Sequence, residues 1–171
     1  DDHSRYIVHH ELCSTMTTPD VERNVVAALK KTGLPKSKRP KILSDNGSCY
    51  ISDDIKKFMK EKGITQVHGA PNHPQTQGKI ERYHRSMKNV VKLEHYYSFP
   101  DLKKAIDAYI EYYNNERYHE SLDNCTPASV YYGTNHEILK KRHLLKQKSM
   151  KQRRINHLIH QTKKNRTLLL S

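Results

Sequence analysis

At 171 residues the chain has length for one modest domain and an appendage, and 31 Lys+Arg against 18 Asp+Glu leave a formal net charge of +13 and a pI near 9.6. Such a balance attracts polyanions, with nucleic acid first among them. An anionic membrane surface satisfies the same charge, but no apolar run approaches spanning length, and Cys13, Cys49 and Cys125 are too few and too far apart for a disulfide frame or a zinc finger.

In chain order, Arg5–Leu12 is rich in β-branched and aromatic residues and predicts a strand. Thr18 before Pro19 starts a helix in which Val21, Val25, Ala28 and Leu29 recur at helical spacing until Gly33. Lys41–Ser44 predicts a short strand running into the turn Asp45-Asn46-Gly47. Ser52 caps a helix carrying Ile55, Phe58 and Met59 and ending at Gly63, and Ile64–Val67 predicts another strand. A polar loop with Pro71, Pro74 and Gly78 leads into a helix over about residues 79–94. The last helix of the globular part carries Leu102, Ile106, Tyr109, Ile110 and Tyr113 as one apolar stripe. Alternating strands and helices predict an α/β layered domain.

The charge is uneven. Residues 1–133 hold 20 Lys+Arg and 17 acids, whereas residues 134–171 hold 11 Lys+Arg and the single acid Glu137. The tail is either a basic amphipathic helix that orders on DNA or a solvated charge run. Three segments follow: 1–97, 98–133 and the basic tail 134–171. The twelve histidines are scattered, and surface, core or phosphate-facing positions suit them better than metal ligation.

Asp45, at the end of a predicted strand, and Glu81, in the first turn of a predicted helix, are the acids of interest. Two carboxylates brought into one cleft can hold divalent cations, and two metals about 4 Å apart stabilise both oxygens of a phosphodiester displacement. On residue type alone, helix-dipole and cap roles explain such acids at least as well. The surrounding words decide more. Ser44-Asp45-Asn46-Gly47-Ser48 and Asn72-His73-Pro74-Gln75-Thr76-Gln77-Gly78-Lys79-Ile80-Glu81-Arg82 resemble the second and third acid motifs of Asp-Asp-Glu transposases and retroviral integrases, with 35 residues between the two acids. Tyr113–Leu122 with Thr126-Pro127-Ala128 is similar to the segment that follows the core in bacterial insertion-sequence transposases, and the resemblance runs to about residue 133.

The resemblance implies a three-layer, ribonuclease-H-like integrase core that binds Mg²⁺ or Mn²⁺ at a two-metal site, nicks DNA at element ends and joins the freed 3′-hydroxyl to target DNA. Asp45 and Glu81 become metal ligands and catalytic acids. Arg85 and Lys88 share the Glu81 helix face and are expected to grip DNA phosphates, with Lys79, Arg82 and His84 as further DNA-facing candidates. The Gln75–Gly78 loop is expected to flex and bring Glu81 in. Arg117 and His119 either touch DNA or cap the last helix. The family's first acid lies upstream of a segment resembling Asp1–Tyr6, so neither Asp1 nor Asp2 corresponds to it. The expected fold therefore lacks its first strand and most of its second, and the isolated chain is expected to fold poorly, aggregate or oligomerise. DNA, a second copy of the chain on DNA and no membrane are the expected partners, in a bacterial cytoplasm beside the nucleoid. The competing readings are a non-catalytic DNA-binding remnant and, less well matched by the 35-residue spacing, a ribonuclease.

Overall fold

A computed structural model describes residues 1–69 and 78–168, with the side chains of 163–168 excepted. The chain is mostly helical, with a small two-stranded parallel sheet. Helix α1 (Thr18–Thr32) opens with Pro19 in its first turn and closes at Gly33, whose left-handed φ of 63° lets its N–H reach the Leu29 carbonyl. At its start the Asp20 carboxylate accepts from the Thr17 N–H at 3.0 Å and from the Thr15 and Thr17 hydroxyls. Strand β1 (Ile42–Ser44) precedes the short helix α2 (Ser48–Ile51) and then α3 (Asp53–Glu61), whose N-cap Ser52 accepts from the Ile55 N–H. Strand β2 (Gln66–His68) pairs with β1 in the register Ile42–Gln66, Leu43–Val67, Ser44–His68.

The second half is helical. Helix α4 (Gly78–Val91) packs on α5 (Phe99–Asn115), and α5 packs on α6 (Pro127–Tyr131). Ser98 caps α5 by accepting from the Asp101 N–H, and Thr126 caps α6 by accepting from the Ser129 N–H. Helix α7 (Asn135–Leu168) follows. Burial is divided between two clusters. Ile55, Met59 and Ile64 gather Val21, Val25, Leu29, Ile42 and Phe58, so α1 and α3 pack together over Ile42 of β1; Tyr109, Ile110 and Tyr113 gather Ile7, Tyr83, Met87 and Ile106 around α5.

Two expectations are corrected. Arg5–Leu12 forms no strand. Arg5 takes a left-handed φ of 64°, which interrupts an extended run. The backbone groups of Ile7 are satisfied by a side chain of α5 instead of a neighbouring strand: Asn114 Oδ1 accepts from the Ile7 N–H at 2.9 Å and Asn114 Nδ2 donates to the Ile7 carbonyl at 3.1 Å. Two helical turns earlier on α5, Asp107 meets His10 Nε2 at 2.8 Å. The segment is thus laid along α5, and the sheet, among the described residues, is two strands with both outer edges unpaired. The basic tail is a helix, but it is not amphipathic. Leu144, Leu145, Ile155, Leu158 and Ile159 fall on one broad side, but Lys148 and Lys151 interrupt it and Met150 lies off it; all six apolar residues are at least half exposed.

Candidate active site

Asp45 is placed by the ends of both strands. Its carboxylate Oδ1 accepts from the Gly47 N–H at 3.0 Å, the local turn that aspartate favours directly after a strand. Behind it, buried Ser44 takes a hydrogen bond from Gln66 Nε2 at 3.2 Å, and Gln66 also donates to the Tyr50 carbonyl at 2.8 Å. His68 Nδ1 lies 3.3 Å from both the Ser44 hydroxyl and the Asp45 carbonyl oxygen. The Gly69 N–H donates to the Ser44 carbonyl at 3.1 Å, which extends the strand pairing to the base of the turn. A side chain at Gly47 would press on the carboxylate: a Cβ there would meet Asp45 Oδ1 at 3.0 Å, so Asp45 would have to shift. Gln66 and His68 were missed in the sequence. Their i, i+2 spacing, with His68 one residue past the predicted strand Ile64–Val67, puts both on one face once the strand is extended and was the available signal.

Glu81 stands exposed in the first turn of α4. Tyr83 and Met87 turn toward α5, with the Tyr83 ring 5.1 Å from that of Tyr113. Helical geometry then puts Glu81, Arg85 and Lys88 together on the opposite, solvent side, where all three are exposed. Arg82 is exposed as well. His84 is held below its ordinary pKa, first by partial desolvation and then by the Lys88 charge. Lys79 is already paired: its Nζ lies 2.7 Å from the Asp2 carboxylate and 3.1 Å from the Asp2 carbonyl. That pairing holds the Asp2 carboxyl below its ordinary pKa. Asp1 is committed too, since its Oδ2 accepts from the Ser4 N–H at 2.7 Å and the Ser4 hydroxyl at 2.6 Å.

Arg117 and His119 are gathered elsewhere, in the aromatic cluster. Arg117 Nη1 donates to the Tyr109 hydroxyl at 3.3 Å, and its guanidinium lies 5.6 Å from the Tyr113 ring centre. His119 meets the Tyr113 ring edge-on at 5.0 Å. Desolvation, followed by the charges of Arg117 and Arg5, lowers the His119 pKa. The Tyr109–Tyr113–Arg117 spacing of four was the signal for this packing.

The carboxylates of Asp45 and Glu81 are hard oxygen donors suited to Mg²⁺ or Mn²⁺. Among the described residues, however, no group of three or more His, Cys, Asp or Glu side chains comes together at metal-holding distance. A complete two-metal ligand set is therefore not assembled from them. The Gln75–Gln77 part of the expected hinge lies outside the described residues. No helix among them is long and apolar enough to cross a membrane, and Cys13, Cys49 and Cys125 are free thiols.

Residues 1–74 match a family model described as an integrase core domain, and residues 62–127 match a second model of the same description. The chain carries an integrase core of the retroviral integrase superfamily. This integrase core is 46% identical over 46 residues to the Gag-Pol polyprotein of bovine immunodeficiency virus (strain R29), a match that covers 27% of this chain and 3% of that polyprotein. The Pol polyprotein of an ovine maedi visna related virus is 41% identical over 54 residues, 31% of this chain and 5% of that protein. The chain thus spans a small fraction of these curated relatives. The crystal structure of the catalytic core domain of bovine immunodeficiency virus integrase superposes with a TM-score of 0.56 at 23% identity, covering 80% of this chain and 84% of that one. A simian T-cell lymphotropic virus intasome in complex with the PP2A regulatory subunit B56 gamma superposes with a TM-score of 0.51 at 19% identity, over 63% of this chain and 37% of that one. These likenesses show the fold, an integrase catalytic core of the ribonuclease-H-like kind. Both curated relatives named above are retroviral polyproteins, whereas the motifs after the core resemble those of bacterial insertion sequences.

Proposed function

We propose that this integrase core serves DNA transposition by metal-dependent phosphoryl transfer, as part of an insertion-sequence transposase. The observation that carries the reading is the pair of ordered acid motifs, with Asp45 at the mouth of the parallel strand pair and Glu81 exposed at the start of α4 beside Arg85 and Lys88. In this reading Asp45 and Glu81 are metal ligands. Arg85 and Lys88 hold the DNA phosphates beside them, and Arg82 and His84 flank that face. Mg²⁺ or Mn²⁺, when bound, supplies charge stabilisation to the attacking and leaving oxygens. The insertion-sequence assignment rests on the Tyr113–Leu122 block and Thr126-Pro127-Ala128. Asp1 and Asp2 are spent on Ser4 and Lys79, so a third acid is sought outside them. The segment 1–97 is the catalytic part, 98–133 the family segment and 134–171 the basic tail. Work on paired DNA ends by a homo-oligomer, in a bacterial cytoplasm, completes the reading.

A strand-transfer assay with labelled element-end DNA and Mn²⁺ tests this, with the chain alone and with the coding sequence upstream of Asp1 included. Activity that requires metal in either form supports the reading. DNA binding without strand transfer in both forms would support the second reading, a DNA-binding chain without catalysis. The crowding of positive charge into residues 134–171 favours that alternative.

A further inference from the structure

We propose that residues 143–162 of α7 form an arm that binds duplex DNA along its phosphates, without reading sequence and independently of the acids. The start of α7 is docked. Ile138, Leu139 and Arg142 are half-buried, and Arg142 Nη1 donates to the carbonyls of Asp123 and Asn124 at 3.0 Å each while its guanidinium lies 5.7 Å from the Tyr118 ring centre. Arg142 is therefore an anchor. From His143 to Thr162 every residue is exposed. This stretch carries Lys146, Lys148, Lys151, Arg153 and Arg154 and no acid.

A helix with no packed face draws little stability from the rest of the fold. Lys148, Lys151 and Arg154 succeed one another at i, i+3 and repel along one side. A polyanion laid along the arm offsets these repulsions with an attraction at each cation.

The kind of polyanion follows from what else the arm presents. Lys148 and Lys151 interrupt the side that carries Leu144, Ile155, Leu158 and Ile159, so it offers no continuous apolar face to a bilayer surface. It contains no Phe, Tyr or Trp, so it offers no platform on which the bases of a single strand stack. Cations on a straight rod fit the phosphates of a duplex, which need neither. At about 1.5 Å per residue the arm is about 30 Å long, close to one duplex turn of about 34 Å.

The test uses the full chain in EDTA, so that metal-dependent chemistry plays no part and failure of the transposase reading leaves the result interpretable. Binding to a fluorescent duplex of arbitrary sequence is followed against salt for the wild type and for K146Q/K148Q/K151Q/R153Q/R154Q. The slope of log affinity against log salt should fall in magnitude by at least about 2.7, at about 0.9 for each of Lys148, Lys151 and Arg154 on their shared side. The change should be equal on a duplex of unrelated sequence. A second variant exchanging Lys for Arg and Arg for Lys at the same five positions should keep the wild-type slope. An unchanged slope in the glutamine variant would overturn the proposal, as would loss in the charge-keeping variant. So would wild-type binding to phosphatidylserine vesicles or to single-stranded DNA as tight as to the duplex.

Discussion

Asn114 of α5 closes both backbone hydrogen bonds of Ile7, accepting from its N–H at 2.9 Å and donating to its carbonyl at 3.1 Å. A buried side-chain amide here does what a neighbouring strand would do in a sheet. Asn114→Ala removes both bonds and leaves two backbone groups without partners. The expected loss is about 2–4 kcal/mol, combining lost bonds with the desolvation of the orphaned groups. Chemical denaturation of the two proteins measures it; a loss within about 0.5 kcal/mol, the range of neutral surface changes, would show that water replaces the amide.

Gly47 tests the placement of Asp45. With φ at −59° the backbone there accepts any residue, so the constraint is the 3.0 Å approach of a Cβ to Asp45 Oδ1. Gly47→Ala should displace the carboxylate and lower strand transfer at least tenfold. Its stability should change by no more than about 1 kcal/mol. Wild-type activity in a folded Gly47→Ala protein would show that the Asp45 rotamer is not constrained by the turn.

His119 predicts a pH response. Its pKa is lowered in the folded chain, first by desolvation and then by Arg117 and Arg5, so folding favours the neutral ring. Its contribution is complete above the unfolded histidine value of about 6.5 and is lost as pH falls from there through the folded value. His9 and His84 are lowered too and act with the same sign. The carboxylates of Asp2 and Asp107 are also depressed, but their stabilisation is lost at lower pH, below about 4. Denaturation midpoints at pH 7.5 and pH 5 should show a loss on acidification. His119→Phe, which keeps the ring contact with Tyr113, should show a smaller one.

Leu43 and Val67 are paired across the two strands and both are exposed, at 44% and 40%. With both sheet edges unpaired among the described residues, this surface favours self-association. Sedimentation of the isolated chain should reveal oligomers or aggregates, reduced by Leu43→Lys with Val67→Lys. A well-behaved monomer with a two-state melt would contradict this expectation.

These relationships mark where reading the sequence succeeds. Helix ends were legible because local residues make them: Pro19 and Gly33 bound α1, and Ser52 and Gly63 bracket α3. The strands around Leu43 and Val67 were legible to within a residue or two, and the position of Asp45 followed from them. Arg5–Leu12 was misread because β-branched composition reports strand propensity, not the presence of a partner strand. The group that does bind Ile7 lies 107 residues away. The tail showed its charge and its helix but not the break in its apolar side, where Lys148 and Lys151 fall among Leu144, Ile155, Leu158 and Ile159. The network behind Asp45 needed the pairing of Ser44 with His68, a register that only the folded sheet defines.

The most direct test of the central claim is a double-mutant cycle on strand transfer with Mn²⁺, performed in whichever form of the protein is active. Asp45→Ala and Glu81→Ala are measured singly and together, with the chemical-denaturation midpoint as the folding control and duplex binding in EDTA alongside. If the two carboxylates serve one metal centre, either substitution alone removes the activity, the pair is no worse than one, and binding persists. Activity retained in either single variant, or losses that multiply in the pair, would contradict a shared centre.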